Sequence, residues 1–406
     1  FLKVYTFKEI EEEFDRYISE YGKWAQFLYE HRLERNASVQ KLSFPYPYRA
    51  GQKRLVAAAY RTMINGEQLF IQAPTGIGKT LSTVFPAVWA VGEEYADKIF
   101  YLTAKTITRT AAVSAFDILQ ENGLKMSYIA LTSKEKICPN TVMECNPVQC
   151  QYAKGHFDRV NEAAFDLIHD CEQITREKLA ACAKKYKVCP FELGLDMSLF
   201  SDGILCDYNY VFDPNVKLKR YFDQGEPGQG YLFLVDEAHN LVPRAREMYS
   251  ASLIKEDVLL TKRILKTQPG AAKVIAQLDK CNQRFLELKR SYGGDEGERR
   301  TVLGSTYELL PDVNVLALNL MTMFGELETF MNENIEFPDR DLVLEFYFAV
   351  RDFLYVYDRL DESYRIYDQI LADGSFMVKL LCINPAVNLK ECLDKGVSTL
   401  FFSATL

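Results

Sequence analysis

The chain has 406 residues, 48% of them apolar and 26% charged, which is the composition of an ordinary globular protein with two or three domains. Its net charge of −8 excludes a uniformly basic coat for nucleic acid but leaves room for a local basic groove. No apolar run reaches the length of a membrane span and no basic-then-apolar leader opens the chain, so we expect a cytoplasmic protein with no membrane partner.

The first part of the chain alternates helices and strands. Residues 6–35 are charged and amphipathic and predict a helix, either the tail of an upstream domain or a packing helix. A further helix is expected over residues 50–63, and a buried strand is expected to end at residues 70–72. A helix then begins near Leu81, and residues 98–102 form a short apolar strand that leads into another helix. This alternation predicts a parallel α/β sheet.

The turn between the first strand and its helix carries a phosphate-binding pattern. Residues 72–80 read Gln-Ala-Pro-Thr-Gly-Ile-Gly-Lys-Thr, which fits the P-loop except that Ala73 replaces the usual first glycine. The backbone N–H groups of such a loop and the helix N-terminus bind phosphate. Lys79 would reach the β- and γ-phosphates, and the Thr80 hydroxyl would bind magnesium. The residues expected to contact the nucleotide are Ala73, Pro74, Thr75, Gly76, Ile77, Gly78, Lys79 and Thr80.

A second motif supplies carboxylates. Residues 231–235 predict an apolar strand that ends in Asp236-Glu237-Ala-His239. As in other P-loop NTPases, Asp236 is expected to bind the metal and Glu237 to orient the attacking water. His239 is either a coupling residue or a histidine with ordinary hydrogen bonds. The P-loop and this acidic pair together predict a site for a nucleoside triphosphate and magnesium.

Two insertions interrupt the alternation. Residues 134–191 carry cysteines and are helical or irregular. From residue 245 to about 369 we expect an almost wholly helical segment, because long apolar-periodic runs dominate it. Strands are expected again at residues 376–383 and 397–402.

Ten cysteines without a leader favour a metal or cluster site over a disulfide framework. The preferred ligands lie beside or near prolines, and they are Cys138, Cys145, Cys150 and Cys189. Thiolates suit an iron–sulfur cluster or zinc. Cys171 and Cys182 compete for a middle position, and buried free thiols are the alternative for the whole set. The cysteines expected in the core are Cys206, Cys281, Cys382 and Cys392.

The order of these motifs resembles that of the iron–sulfur superfamily 2 helicases typified by XPD and DinG. The resemblance extends from about residue 44 to residue 406: P-loop, four-cysteine insertion, Asp-Glu-Ala-His, helical insertion, then Ser403-Ala-Thr405. It implies a P-loop NTPase with a RecA-like parallel sheet, an iron–sulfur insertion that holds a 4Fe–4S cluster, and a mostly helical, arch-like insertion. Alanine commonly stands at the position of Ala73 in this family.

The resemblance also implies roles for residues that would otherwise be ordinary surface or strand-end residues. The matching residues are Arg49 and Gln52 for the Q-motif, Thr103, Lys105 and Thr106 for motif Ia, and Ser403 and Thr405 for motif III. The Q-motif reads adenine, with Gln52 on the base edge. Motif Ia holds the DNA backbone, and motif III links the nucleotide site to the DNA.

The implied domains are an N-terminal helical segment or linker (1–43), motor domain 1 in three parts (44–133, 193–244, 373–406), the cluster insertion (134–192) and the arch-like insertion (245–372). A second motor domain would follow Leu406, and we expect the chain to be a segment of something longer that hydrolyses ATP slowly by itself. The implied function is an ATP-dependent DNA helicase of 5′ to 3′ polarity that uses ATP, Mg²⁺ and the cluster, binds single-stranded DNA, and acts in DNA repair or replication. The alternatives are a nucleotide-dependent DNA-binding switch that does not translocate and a helicase-like module fused to a nuclease.

Overall fold

The structure is a computed structural model that describes residues 4–104, 106–170, 173–223, 228–292, 299–302 and 305–406. Lys105 and Cys171 therefore lie outside the described residues, as does the side chain of Thr106. The chain divides into unit 1, which is residues 1–211, 216–241 and 391–406, and unit 2, which is residues 212–215 and 242–390. None of the helices in the described ranges combines the length and the apolar character that crossing a membrane requires.

The helices of both units are α1 Phe7–Val39, α2 Gln52–Ile64, α3 Lys79–Gly92, α4 Thr106–Glu121, α5 Lys134–Ile137, α6 His156–Asp170, α7 Arg176–Tyr186, α8 Pro190–Phe200, α9 Asn209–Phe212, α10 Lys219–Phe222, α11 Leu241–Met248, α12 Lys255–Leu265, α13 Ala272–Ser291, α14 Asn314–Glu333, α15 Arg340–Tyr357 and α16 Ala386–Leu393. The strands are β1 Gln68–Gln72, β2 Lys98–Thr103, β3 Tyr128–Ala130, β4 Gln173–Ile174, β5 Gly203–Asp207, β6 Gln229–Asp236, β7 Ala251–Ile254, β8 Arg299–Val302, β9 Ser305–Leu309, β10 Tyr364–Ile370, β11 Phe376–Cys382 and β12 Gly396–Ser403. A short 3₁₀ turn, Ala238–Asn240, follows β6.

Unit 1 is built on a seven-stranded sheet in the order β1-β12-β6-β2-β5-β3-β4. Every neighbouring pair is parallel, so the predicted parallel α/β sheet is confirmed. The central strands β2 and β6 are buried almost throughout, as expected where crossover helices cover both faces of a parallel sheet. Because parallel strands end at one edge, the residues that follow β1, β12, β6, β2 and β5 lie along the same edge of the sheet.

Strand β1 is the outermost strand of this sheet at the β12 side, and β12 is its neighbour. The expectation that β1 is a buried strand was wrong. Its exposure alternates along the strand, and Phe70 is 66% exposed. The Phe70 ring stacks on Phe401 of β12 at 4.6 Å between ring centroids. Leu69 and Ile71 pack against the hydrophobic core from one face of β1, and Phe70 lies on the opposite face, so an apolar run does not by itself prove burial on both faces.

Helix α1 packs on unit 1 through its second half. Thr6 and Glu9 form a capping box at its start. In its second half Trp24 stacks on Phe200 at 4.5 Å between ring centroids, and Arg35 donates a hydrogen bond to Asp202. The helix continues to Val39, beyond the end that its amphipathic pattern indicated.

Unit 2 contains a sheet that the sequence did not predict. Strands β7-β11-β10-β9-β8 form a five-stranded antiparallel sheet, so the expectation of an almost wholly helical segment was wrong. Strand β11 was expected to return to the first sheet, but it pairs with β10 and β7 instead. Only β12 makes that return, and it enters between β1 and β6.

Candidate nucleotide site and cysteine cavity

The P-loop connects the end of β1 to helix α3, which begins at Lys79 itself. Gly76 and Gly78 have φ values of 85° and 81°, a left-handed conformation that favours glycine. A Cβ at Gly78 would also lie 2.9 Å from Nε2 of Gln52. The Lys79 ammonium donates a hydrogen bond to the Ala73 carbonyl at 2.9 Å, so it lies across the loop. The loop thus requires glycine at positions 76 and 78, and the Lys79 ammonium lies on the loop that is expected to bind phosphate.

The two residues expected to form a Q-motif, Arg49 and Gln52, lie beside the P-loop. Gln52 is the first residue of α2 and is only 4% exposed. Its side-chain oxygen accepts a hydrogen bond from the Arg49 N–H at 3.0 Å. The Arg49 guanidinium in turn donates to the Gly76 carbonyl. Contact with the loop is therefore present, and the reading of an adenine base by Gln52 stays a prediction.

Asp236 ends β6, two strands away from the P-loop strand, and is 7% exposed. The hydroxyl of Tyr101 donates to its Oδ2 at 2.8 Å and also interacts with the Thr80 side chain. The two halves of the expected magnesium site therefore meet at one phenol. Burial raises the pKa of Asp236, with the hydrogen bond from Tyr101 and the charge of Lys79 acting in the opposite direction. A bound cation would favour the ionised carboxylate.

Glu237 follows in a strained turn and faces the end of β12. Its φ and ψ are 50° and 47°, a left-handed conformation that costs a non-glycine residue about 1–2 kcal/mol. The Ser403 hydroxyl lies 3.1 Å from Glu237 Oε2 and 2.7 Å from His239 Nδ1, and it accepts the N–H of Thr405 at 3.2 Å. The Ser403 carbonyl accepts the N–H of Ala73 at 3.0 Å. One serine therefore contacts Glu237, His239 and the start of the P-loop.

Sequence reasoning missed two tyrosines beside this pair. Tyr101 lies on β2, and Tyr208 directly follows β5. The Tyr208 hydroxyl donates to the backbone carbonyls of Asp236 and Glu237. Burial raises the pKa of both phenols, which keeps them protonated. Tyr101 has the apolar neighbours Phe100 and Leu102, which indicate a core residue, whereas Tyr208 stands between Asp207 and Asn209. The sequence holds no signal for either role beyond a hydroxyl-bearing ring in or next to a strand.

The motif Ia region is described only in part. Thr103 ends β2 and is fully buried, and its carbonyl accepts the N–H of Tyr208 at 3.1 Å. Its hydroxyl has no hydrogen-bond partner among the residues that the structure describes. Contact of Thr103, Lys105 and Thr106 with DNA stays a prediction.

The four preferred cysteines line one small cavity, together with Pro139 and Pro190. Cys138 follows α5, Cys145 and Cys150 lie on the loop before α6, and Cys189 is the N-cap of α8. Their donors are all sulfur, which is the set that an iron–sulfur cluster takes. The residues present therefore fit such a cluster.

Neighbouring polar groups contact two of the cysteines that line the cavity, and Cys182 does not line it. The Asn140 amide donates to Cys150 Sγ at 3.3 Å, and the Cys189 N–H donates to His156 Nδ1 at 3.2 Å. Cys182 instead donates to the Ala163 carbonyl at 3.4 Å, between α6 and α7.

The described ranges hold no three His, Cys, Asp or Glu side chains close enough together for one metal ion. A four-iron cluster takes one thiolate on each iron, so its sulfurs stand farther apart than those around a single ion. Ligation by the quartet stays a prediction. Of the cysteines expected in the core, Cys206, Cys281 and Cys382 are buried, and Cys392 is partly exposed.

The fold and the site define a P-loop α/β protein whose phosphate loop and acidic pair meet at the carboxyl edge of a parallel sheet. Residues 118–258 match the DEAD_2 family model. The chain is 24% identical over 262 residues to a probable ATP-dependent helicase of Methanocaldococcus jannaschii, covering 62% of this chain and 38% of that protein. It is 24% identical over 128 residues to the Fanconi anemia group J protein homolog of Gallus gallus, covering 31% of this chain and 10% of the relative.

Solved structures agree on the fold. An XPD helicase superposes with a TM-score of 0.52 at 17% identity, covering 89% of this chain and 59% of that one. A truncated XPD superposes with a TM-score of 0.50 at 15% identity, covering 87% and 93%. The chain is thus similar in sequence to helicases and in fold to XPD structures, and it resembles the XPD/DinG-like superfamily 2 helicases. The chain spans 38% of the length of the archaeal relative.

Proposed function

We propose that the chain is the first motor domain of an ATP-dependent DNA helicase that couples ATP hydrolysis to movement along single-stranded DNA. The observation that carries this proposal is the Ser403 hydroxyl, which contacts both Glu237 and His239 while its carbonyl binds the N–H of Ala73. Strand β12, which ends at Ser403, thereby connects Glu237 and His239 to the phosphate loop. A switch needs such a contact, because a change at the γ-phosphate must reach another part of the molecule.

The residues of the site divide the chemistry among them. The N–H groups of the loop and the N-terminus of α3 bind the phosphates, and Lys79 reaches the β- and γ-phosphates. Thr80 and Asp236 would hold Mg²⁺, which would supply positive charge at the phosphate oxygens. Glu237 orients the attacking water. Helicases of this family act on ATP with Mg²⁺, and the described geometry supports that assignment.

The cysteine cavity is proposed to serve the nucleic acid. Cys138, Cys145, Cys150 and Cys189 would hold a 4Fe–4S cluster that fixes the loop before α6 to the start of α8. A rigid insertion of this kind, at residues 134–192, would guide or separate strands. Residues 242–390, the long segment of unit 2, would form the arch-like insertion under which single-stranded DNA passes.

The remaining features of the function rest on the family. We propose that a second motor domain follows Leu406 and supplies arginines to the transition state, which in related NTPases is worth about 10³–10⁵ in rate. A polarity of 5′ to 3′ and a role in DNA repair or replication belong to the same proposal.

The test is ATP turnover, with and without single-stranded DNA, by a protein that includes the proposed second motor domain. We expect DNA to stimulate turnover, and Glu237→Gln to lower kcat by about 100-fold or more because the water loses its base. Glu121→Gln, a change at an exposed carboxylate at the end of α4, is the matched control and should keep the wild-type rate.

Wild-type turnover in Glu237→Gln would contradict the proposal. DNA-stimulated turnover without strand unwinding or translocation would favour the alternative of a nucleotide-dependent switch.

A further inference from the structure

Two buried phenols converge on the acidic pair from the neighbouring strands of the sheet. Strands β2 and β5 follow β6 in the strand order, and Tyr101 lies on β2 while Tyr208 comes directly after β5. Tyr101 is fully buried and Tyr208 is 1% exposed. Their hydroxyls therefore act where water does not reach, and each needs a fixed partner.

We propose that Tyr101 and Tyr208 are positioning residues for the nucleotide site, with Tyr101 orienting the side chain of Asp236 and Tyr208 holding the backbone turn that directs Glu237. This proposal rests on the proposed function, since it assigns these two tyrosines to the same acidic pair.

Tyr101 acts on the metal-binding side of the site. Its hydroxyl donates to Oδ2 of Asp236 at 2.8 Å, and it also interacts with the Thr80 side chain. Oδ1 of Asp236 accepts the N–H of Glu237 at 2.9 Å. The carboxylate is thus held through both of its oxygens, which fixes its orientation before a metal arrives. Hydrogen bonds behind a ligand serve this purpose in metal sites generally.

Tyr208 acts on the backbone of the turn. Its hydroxyl donates to the carbonyl of Asp236 and, at 3.1 Å, to that of Glu237. Two successive carbonyls can face one hydroxyl because Glu237 adopts the left-handed conformation. The Asn240 N–H also donates to the Glu237 carbonyl, at 2.9 Å, whereas the hydroxyl of Tyr208 is the contact that joins both carbonyls. The N–H of Tyr208 donates to Thr103 of β2, which fixes the base of the ring.

This arrangement has a distinct kinetic signature for each residue. Removing the Tyr101 hydroxyl frees one oxygen of the metal-binding carboxylate, so the Mg²⁺ concentration for half-maximal turnover should rise about tenfold. Removing the Tyr208 hydroxyl loosens the turn that aims Glu237 but leaves the phosphate loop intact. Tyr208→Phe should therefore lower kcat about tenfold and leave KM for ATP unchanged.

The experiment compares Tyr101→Phe and Tyr208→Phe with a matched control, Tyr221→Phe, in the protein used for the turnover assay. Tyr221 is 3% exposed, and its hydroxyl bonds Ser198 at 2.9 Å, so this variant also removes a buried phenol hydroxyl but outside the site. Melting temperature, kcat, KM and Mg²⁺ dependence are measured for each, and binding of Mg·ATP is measured by calorimetric titration. We expect similar losses of melting temperature in all three variants. Tyr101→Phe should also bind Mg·ATP more weakly, and Tyr208→Phe should bind it with wild-type affinity.

Wild-type Mg²⁺ dependence in Tyr101→Phe together with wild-type kcat in Tyr208→Phe would overturn the proposal. Equal kinetic losses in Tyr221→Phe would overturn it as well, since they would trace the effect to general loss of stability. Lys79→Ala and Glu237→Gln are assayed alongside. If both of these keep wild-type turnover, the proposed function itself fails. If both lose it while the tyrosine variants behave as wild type, only the positioning role fails.

Discussion

The buried carboxylate of Asp202 connects helix α1 to the sheet of unit 1 by hydrogen bonds. Asp202 precedes β5 and accepts hydrogen bonds from Arg35 and His31 of α1, each at 2.8 Å. It also accepts from the N–H of Ser127 at 2.8 Å and from the Ser127 hydroxyl at 3.0 Å. Burial alone would raise the pKa of Asp202, but the hydrogen bond and charge of His31, with the charge of Arg35, outweigh it and hold the pKa at about 2.

Replacing this carboxylate should cost stability that depends on pH. We expect Asp202→Asn to lower the free energy of unfolding by about 3 kcal/mol near neutral pH, because it leaves Arg35 buried without its counter-charge. The folded pKa lies below the unfolded one, so this stability is present above about pH 4 and is lost as the pH falls toward 2. Urea unfolding followed by tryptophan fluorescence measures it, since Trp24 stacks on Phe200 beside this contact.

The matched control for Asp202→Asn is Asp166→Asn, which removes a carboxylate from a more exposed ion pair with Lys185. Such a pair is worth about 0–1 kcal/mol, so the control should unfold almost as the wild type does. Equal stability of the two variants at neutral pH would show that Asp202 does not hold α1 in place.

The residues of the site differ in how far sequence predicts them. Lys79 and Asp236 are found from sequence because a glycine-rich loop and an acidic strand end are local patterns with few other uses. Tyr208 is not, because its role depends on a turn 28 positions away in the chain. Asp202 and Arg35 are 167 positions apart, and neither position carries a local signal. Sequence motifs therefore do not predict contacts between residues that only the fold brings together.

At the scale of elements, α8 connects the cysteine cavity to the sheet of unit 1. Cys189 is its N-cap and Pro190 occupies its first turn, which suits a residue without a free N–H. At the other end Lys98 of β2 donates to the carbonyls of Leu199 at 2.8 Å and Ser201 at 2.6 Å. Burial lowers the pKa of Lys98 to about 8. The helix is therefore fixed at both ends, and one cysteine of the cavity is fixed with it.

The iron content of single-cysteine variants tests which cysteines bind the cluster. We expect Cys145→Ser to lose most of the bound iron and the visible absorbance of the purified protein, because its thiol lines the cavity. Cys182→Ser is the matched control and should keep both, because Cys182 bonds the Ala163 carbonyl between α6 and α7. Iron and zinc are quantified together by elemental analysis. Stoichiometric zinc without iron in the wild type would refute the cluster.

Helices and strands with one clear hydrophobic periodicity were predicted correctly, and those with an ambiguous periodicity were not. The parallel strands β2 and β6 are short apolar runs beside clear helices, so their type follows from the pattern. Strand β11 alternates buried and half-buried residues and was recognised as a strand, but its partner sheet was not. Strand β10 falls at the end of the segment expected to be helical, and its buried residues, Tyr364 and Asp368, are four positions apart, a spacing that also fits a helix. Periodicity predicts the kind of element and says little about its partner.

At the scale of the molecule, unit 1 places its chemistry at one edge of a parallel sheet. The P-loop follows β1, Ser403 ends β12, and Asp236 ends β6. The strand order β1-β12-β6 puts these three ends side by side, although β12 comes last in the sequence. The last strand of the chain therefore completes the site that the first strand begins.

The fold class of the whole molecule was predictable because the order of motifs resembles one family, and the XPD structures agree with it. The five-stranded sheet of unit 2 was not predictable in the same way, since its strands β7 and β11 lie far apart in the sequence. A family resemblance predicts the architecture of the parts that the family shares. The structure of an insertion has to be predicted from the residues of that insertion.

The central claim is that one nucleoside triphosphate binds with magnesium between the P-loop and the acidic pair of unit 1. Calorimetric titration of this chain with ATP, in the presence and absence of Mg²⁺, tests it most directly. We expect one Mg²⁺-dependent site per chain in the wild type, and binding weakened at least about tenfold in Lys79→Ala, which removes the ammonium that meets the phosphates. Equal affinity of Lys79→Ala and the wild type for Mg·ATP would contradict the account.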